Sequence, residues 1–553
     1  MRGPVVCAVV LAGLTVAPGA AVAAPAPTPP TGRLLVTLRP PAHGTAQAAA
    51  ARAVAARAGA RPAGLSVPQL RLVGVRARHG ASLRALARRL RADPAVASVR
   101  AERRFTLRYV PDDPALTDPE PRAEPGTVVE WWAARESLPS AWDVTRGDGA
   151  RVAVIDTGVD ATHPDLAARI VATADFDADS ADGPATVDEV GHGTHVASLA
   201  CATSGNGIGL AGAGGNCDLL IAKSDLTEGS VAEALVWAAD NGAQSIVMSF
   251  GTDGRVPASD AVVQALRYAA AHGSVLVAAA ADDPVTEQGD PANVLQPTGT
   301  GPDITQNLGL SVTAATAADA RASFAGRGGQ ISMAAYGTYG GSGPNGLLGA
   351  FPAQTTALER GGPTSDQPPC HCRTTFDGDP RYAYLPGTSM AAPQVAAVAA
   401  LMRAVNPALP PADVVRLLKQ TAHRPSAVGW TGDLGWGILD AGAAMAAARA
   451  IDRTAPTSSL QRPVVRGRSI RLRWRGEDDT LPGVASTGID HFEVWRSAGG
   501  RPARRIATTR ARSMQLRGMR GQRYGFFTIA VDRAGNREAP PVRADASVRI
   551  ARR

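Results

Sequence analysis

Three polar side chains in this sequence have the types and settings of a nucleophile, a base and an orienting carboxylate. Asp156 closes the apolar run Arg151-Val-Ala-Val-Ile-Asp156 and is followed by Thr157-Gly158. His192 lies in Gly191-His-Gly-Thr-His195, at a loop-to-helix junction. Ser389 lies in Gly387-Thr-Ser-Met-Ala-Ala-Pro393 and opens the apolar helix expected from Ala391 to Val405. A serine at a helix start has its own N–H pointing out of the helix, where it can stabilise a developing negative charge. A histidine can take the serine proton, and an aspartate can fix the histidine tautomer. Singly, Asp-Thr-Gly reads as a turn and Gly-Thr-Ser as a helix cap. Together, in the order Asp, His, Ser, they point to acyl transfer by an activated serine.

The elements that must position them are legible from periodicity. Residues 150–450 alternate short apolar strands (151–156, 219–222, 245–249, 274–279) with amphipathic helices (231–240, 261–272), which predicts an α/β region with a doubly wound parallel sheet. In such sheets the C-terminal strand ends and the helix N-termini face a common crevice. Residues 33–108 read as a small α+β unit of β-α-β-β-α-β outline. From Thr454 onward, short strands such as Ile470–Trp474, Phe492–Trp495 and Phe526–Val531 recur with turns and no helix, predicting an all-β sandwich over 454–553.

Composition narrows the class. The chain has 553 residues, 45% hydrophobic, 4% aromatic and 19% charged, too apolar for a disordered protein. The one strong apolar run, Pro4 to Ala23, follows Arg2 and ends in Ala21-Val-Ala23. Residues 1–23 therefore read as a signal peptide, implying secretion to the extracellular space or cell surface and no transmembrane segment in the mature chain. The net charge of +8 conceals a partition. Residues 33–108 hold 16 Arg against two acids, 109–453 hold 19 Lys and Arg against 39 acids, and 454–553 hold 21 Arg against eight. Basic segments flanking an acidic centre suggest complementarity within the molecule and not a nucleic-acid partner. Four cysteines follow the leader (Cys201, Cys217, Cys370, Cys372), and Cys201–Cys217 is the favoured pairing. Cys370-His-Cys372 sits in a long stretch, Tyr339 to Arg381, where a tight bridge, free thiols and a metal site all stay open.

The stretches AVIDTGVDATHPDL, GHGTHVASLA, SIVMSFG and LPGTSMAAPQVAAVAALM, with GDLGWGILDAGAA, resemble the subtilase family of serine endopeptidases across 109–453. The resemblance implies a subtilisin-like fold and a peptide or protein substrate. It makes Ser389 the nucleophile, His192 the general base and then acid, and Asp156 its orienter. It also implies that Ser249, Phe250 and Gly251, with Ala278, Ala279 and Ala280, bind substrate backbone as added strands. Residues 33–108, ending in DPAVASVRAE, resemble the family's inhibitory propeptide. Self-cleavage is then expected within Arg103–Glu124, where Pro111-Asp-Asp-Pro114 looks linker-like. A structural calcium ion is implied at Asp165 and the loop Ser204, Asn206, Ile208 and Leu210. Residues 454–553 resemble a fibronectin type III or Ig-like module, and their basic charge would suit an anionic cell-surface polymer. One departure stands out: Asp282 follows the Ala-Ala-Ala strand where the family has the oxyanion asparagine. Its carboxylate would repel the oxyanion unless protonated, so a slow protease favoured by acid is expected. The alternatives are a weakened subtilase acting as a binding scaffold, or a maturation protease of narrow specificity.

Overall fold

The computed structural model describes residues 33–40, 47–77, 83–102, 109–177, 184–361, 368–426, 429–478 and 486–552. The expected signal peptide lies outside them. The chain divides into two compact units, Met1–Leu107 and Arg108–Arg553.

In the first unit, strands Arg33–Leu38, Arg61–Val67, Leu72–Arg76 and Val96–Ala101 form an antiparallel sheet with Arg33–Leu38 and Leu72–Arg76 central. Alternate residues of Arg33–Leu38 turn inward, as period two demands. Leu34 and Val36 meet Val54 of helix Gln47–Arg57 and Leu86 and Leu90 of helix Leu83–Arg91 in one core. The β-α-β-β-α-β outline is realised.

The second unit is built on seven parallel strands: β1 (Arg151–Asp156), β2 (Ile170–Asp175), β3 (Asp218–Lys223), β4 (Ser245–Met248), β5 (Val275–Ala279), β6 (Gly309–Ala315) and β7 (Met333–Tyr336), in the order β7-β6-β5-β4-β1-β3-β2. The apolar runs of β1, β4 and β5 are buried without alternation because both faces are covered, whereas edge strand β2 alternates half-buried and exposed residues. Val152, Val154, Leu219 and Val277 face one core with helices α1 (His192–Cys201) and α4 (Thr388–Val405). Ala153, Ile155, Leu220 and Leu276 face the other with α2 (Glu228–Asp240) and α3 (Asp260–Ala271). Strand order reverses between β1 and β4, and a crevice opens there at the strands' C-terminal ends.

After β7 comes an antiparallel set, β8 (Leu347–Ala350), β9 (Arg373–Phe376) and β10 (Asp379–Leu385), with β10 central. Beyond residue 456, two four-stranded antiparallel sheets close over Leu460, Ile470, Leu472, Trp474, Phe492 and Phe526. Disulfides join Cys201 to Cys217 and Cys370 to Cys372.

The segment expected to be a linker is packed. Asp113 and Ala115 are fully buried and Glu120 nearly so. Ala115 N–H donates to the Gly209 carbonyl, and Glu130 N–H to that of Ala115. Pro114 opens a packed 3-10 turn (Pro114–Leu116), so the prolines here do not mark an open tether. Both lysines of the sequence are also buried: Lys223 keeps 3% of its surface and Lys419 none.

Candidate active site

Asp156 ends β1 at the strand-order reversal and is 2% exposed. Its Oδ1 lies 2.8 Å from His192 Nδ1 and accepts Thr157 N–H at 2.8 Å. His192 is the first residue of α1, after Gly191 at φ +95°. Any side chain at Gly191 would also meet the Phe351 ring, 2.6 Å from the place of a Cβ. Burial alone would lower the His192 pKa. The Asp156 carboxylate, through charge and hydrogen bond, outweighs it, with Asp188 and Asp282 adding to the rise, so the imidazole is held above its ordinary value.

Ser389 is the second residue of α4, where N–H groups lack intrahelical partners. Its Oγ donates to the Ser249 carbonyl at 3.0 Å, and Ser249 Oγ donates to the Ser389 carbonyl at 2.9 Å. The hydroxyl therefore rests on the Ser249 carbonyl and not on the His192 imidazole. Asp282 follows β5 at the same crevice. Its Oδ1 accepts Thr388 N–H at 2.8 Å, one residue before the serine, and Thr388 Oγ1 donates to the Ala280 carbonyl at 2.5 Å. Desolvation raises the Asp282 pKa, against the Thr388 donors and His192, which lower it, and the neighbouring Asp283 adds to the rise.

Ala278 pairs with both Met248 of β4 and Ser311 of β6, while Ala279 pairs with Val312 and Ala280 N–H donates to the Val312 carbonyl, both on the β6 side. Ser249 is buried against Ser389, while Gly251 is exposed and Phe250 half-buried. Burial raises the Asp282 carboxyl, and the Asp156 carboxylate raises His192 against the effect of burial, so the acid and the base of the expected acidic preference shift in the same direction.

Asp188 was missed in the sequence. It is fully buried, and its carboxylate accepts Thr157 Oγ1 (2.9 Å), Gly191 N–H (2.8 Å), and Thr194 N–H and Oγ1 (2.8 and 2.7 Å). Thr157 Oγ1 in turn accepts Gly193 N–H at 3.0 Å. Asp188 thus caps α1 and ties the turn after Asp156 to the turn before His192. An acid six residues before Thr194 was its only trace in sequence.

The proposed cation residues are brought together, with additions. Asp165 is fully buried; its oxygens accept Asn206 Nδ2 (2.9 Å), Tyr382 O–H (3.0 Å) and Leu210 N–H (3.2 Å). Asn206 Oδ1 faces Ile208 N–H and not Asp165. Beside them lie Asp113, accepting Gly205 and Asn206 N–H, and Glu130, accepting Ala211 N–H. Burial pushes the Asp165 carboxyl up to about 6 against its donors, and raises Asp113 and, more strongly, Glu130. Glu130 Oε1 and Ser204 Oγ are buried without a hydrogen-bond partner. Asp113, Glu130 and Asp165 do not bring their carboxylate oxygens within 4.8 Å of one another; among the described residues Asp452, Asp478 and Asp532 do.

Residues 147–437 match the model described as the subtilase family. The chain belongs to the subtilase family. Among the relatives of this subtilase are the thermophilic serine proteinase of Bacillus sp. (strain AK1), 32% identical over 295 residues, which are 52% of this chain and 60% of that protein. Thermitase of Thermoactinomyces vulgaris is 30% identical over 299 residues, 53% of this chain and 85% of that protein. This subtilase thus spans under two thirds of the Bacillus proteinase and most of thermitase. The solved structure of a protease from Pseudoalteromonas arctica PAMC 21717 is 28% identical, covers 56% of this chain and 94% of its own, and has a TM-score of 0.45.

Proposed function

We propose that this subtilase is a secreted serine endopeptidase that cleaves peptide bonds through an acyl-enzyme and is made as a zymogen. The observation that carries the reading is the Asp156–His192 bond at 2.8 Å beside Ser389 at the N-terminus of a buried helix. Ser389 Oγ attacks the scissile carbonyl as His192 takes its proton; Asp156 holds the imidazole's other nitrogen; the Ser389 N–H meets the oxyanion; His192 then protonates the leaving amine. The exposed backbone at Phe250–Gly251 offers an edge for substrate.

Asp282 favours a second reading, a weakened enzyme or scaffold. Its carboxylate stands where a donor is wanted and already accepts the Thr388 N–H. A fluorophosphonate probe and a peptide-library digest, run on mature protein beside Ser389→Ala, separate the two. Labelling and cleavage by the parent alone support the protease, and equal silence supports the scaffold.

The first unit is read as the inhibitory propeptide, supported by its 16 Arg beside the acidic centre. The family resemblance places a calcium ion at Asp165 and the loop of Ser204, Asn206, Ile208 and Leu210, where it would neutralise the buried Asp165 charge. The basic C-terminal sandwich would suit an anionic surface polymer.

A further inference from the structure

The long stretch before Ser389 splits into a hairpin and an insertion carried at its tip. The hairpin strands β8 and β10 support α1 directly: His195 Nε2 donates to the Leu347 and Ala383 carbonyls at 3.1 and 3.2 Å, and Ala350 N–H donates to Ser198 Oγ at 2.9 Å. The insertion, described over 351–361 and 368–376, continues along the turn that delivers His192. There it meets three successive carbonyls. Gln354 Nε2 donates to Asp188 O at 3.0 Å, Ala357 N–H to Glu189 O at 2.7 Å, and Leu358 N–H to Val190 O at 3.4 Å. Phe351 fills the space that Gly191 leaves.

The insertion is fastened to itself. Arg373 forks onto both oxygens of Glu359 at 2.7 Å, and donates to the carbonyls of Pro352 (2.8 Å) and Gln354 (2.9 Å). That fork, ahead of burial, holds the Glu359 carboxyl near 2. Cys370 N–H donates to the Leu358 carbonyl at 2.9 Å, next to the Cys370–Cys372 bridge. A bidentate guanidinium that also spans two carbonyls fixes the relative place of three chain segments.

We propose that this insertion is a strap that sets the place of the general base, with Gln354 and Arg373 as its positioning residues. The proposal rests on the serine protease reading. Hydrogen bonds to Asp188, Glu189 and Val190 fix the backbone two to four residues before His192, and the histidine must sit within a fraction of an ångström of its working place, since misplacement near 1 Å costs about 100-fold.

The test uses mature protein with three measurements: fluorophosphonate labelling, kcat and KM on a short fluorogenic peptide, and melting temperature. The variants are Gln354→Glu, which keeps shape and loses the donor, Arg373→Ala, and Arg373→Lys, which keeps charge and loses the fork. Both Gln354→Glu and Arg373→Ala are expected to lower kcat about tenfold, with KM changed less than about twofold and the labelling rate falling in step with kcat. Arg373→Lys should recover only part of that loss. An unchanged kcat in both variants, whatever the melting temperature, overturns the proposal. So does a raised KM with constant kcat, which would make the insertion a substrate wall. No labelling of the parent at Ser389 would instead defeat the protease reading, and this proposal with it.

Discussion

At the scale of single residues, the site is an exercise in which group keeps its proton. Asp282 brings a negative charge to the crevice and spends one oxygen on Thr388 N–H. Loss of one oxyanion donor in enzymes of this type costs about 100–1,000-fold in turnover. Asp282→Asn is therefore expected to raise kcat about 100-fold. It should also move the acidic limb of the pH–rate profile downward, because Asp282 is one of the carboxylates holding the His192 pKa up. Stopped assays from pH 5 to 9 check both, and a fall in kcat would show that the carboxyl itself is needed. A second residue governs stability in alkali. Lys419 is fully buried, donates to Gln296 Oε1 and the Gln306 carbonyl, and has its pKa lowered to about 8 by burial. Between about 8 and its ordinary 10.5 the unfolded chain binds the proton that the folded chain has released, so unfolding becomes harder as pH rises through that window. Below about 8 the cost of the buried charge is fully present. The stability difference between the parent and Lys419→Met should rise across that window, by urea titration; a flat difference would mean that the amine titrates normally.

Elements decide where the chain can be cut and what the sequence could reveal. Tyr109 N–H donates to Asp143 and its ring lies under Arg146, 3.9 Å from the guanidinium carbon. Asp113, Ala115 and Glu120 are buried just beyond. A protease cleft takes an extended, exposed segment, so the mature N-terminus is expected at or before Tyr109, and not in the rest of the window to Glu124. N-terminal sequencing reads this directly, with Ser389→Ala accumulating as the longer form. Asp165 and the loop 204–210 give the calcium expectation. A ligand bound only by the folded state at 100 times its dissociation constant adds about 2.7 kcal/mol. Chelation should lower the melting temperature of the parent and leave Asp165→Ala unmoved. The candidate triad residues were legible because each lies in a contiguous motif: Asp156 bonded to Thr157 N–H, His192 opening α1 after Gly191, and Ser389 in the first turn of α4 after Gly387. The parallel sheet was legible from its unbroken apolar runs. Asp113, Glu130, Asp188 and the strap were not, because their meaning comes from distant segments: Asp113 needs the loop at Gly205, and Gln354 needs the turn at Asp188. Strand content is visible in sequence, but which strand edges stay unpaired is a property of the assembled sheet, as Ala278, paired on both sides, shows.

Over the whole molecule, charge is sorted by region and stability by core. The basic first unit and the acidic centre of the second should attract over a Debye length, about 10 Å at 0.1 M salt. The cleaved first unit is therefore expected to leave the enzyme faster as salt rises, seen as a shorter lag before full activity; a lag insensitive to salt would assign inhibition to apolar contacts instead. The C-terminal sandwich keeps its own core around Trp474 and Phe526, and its 21 arginines carry positive charge at every pH in use. Lysine is treated in the opposite way. The folded chain withholds both of its ε-amines, one against Glu189 and one beneath Gln296. An acylating reagent at neutral pH is then expected to react at the α-amine, which on the zymogen reading is the one that maturation creates. A dye, a biotin or an activated resin would join every molecule at the same end, leaving the catalytic face in one orientation.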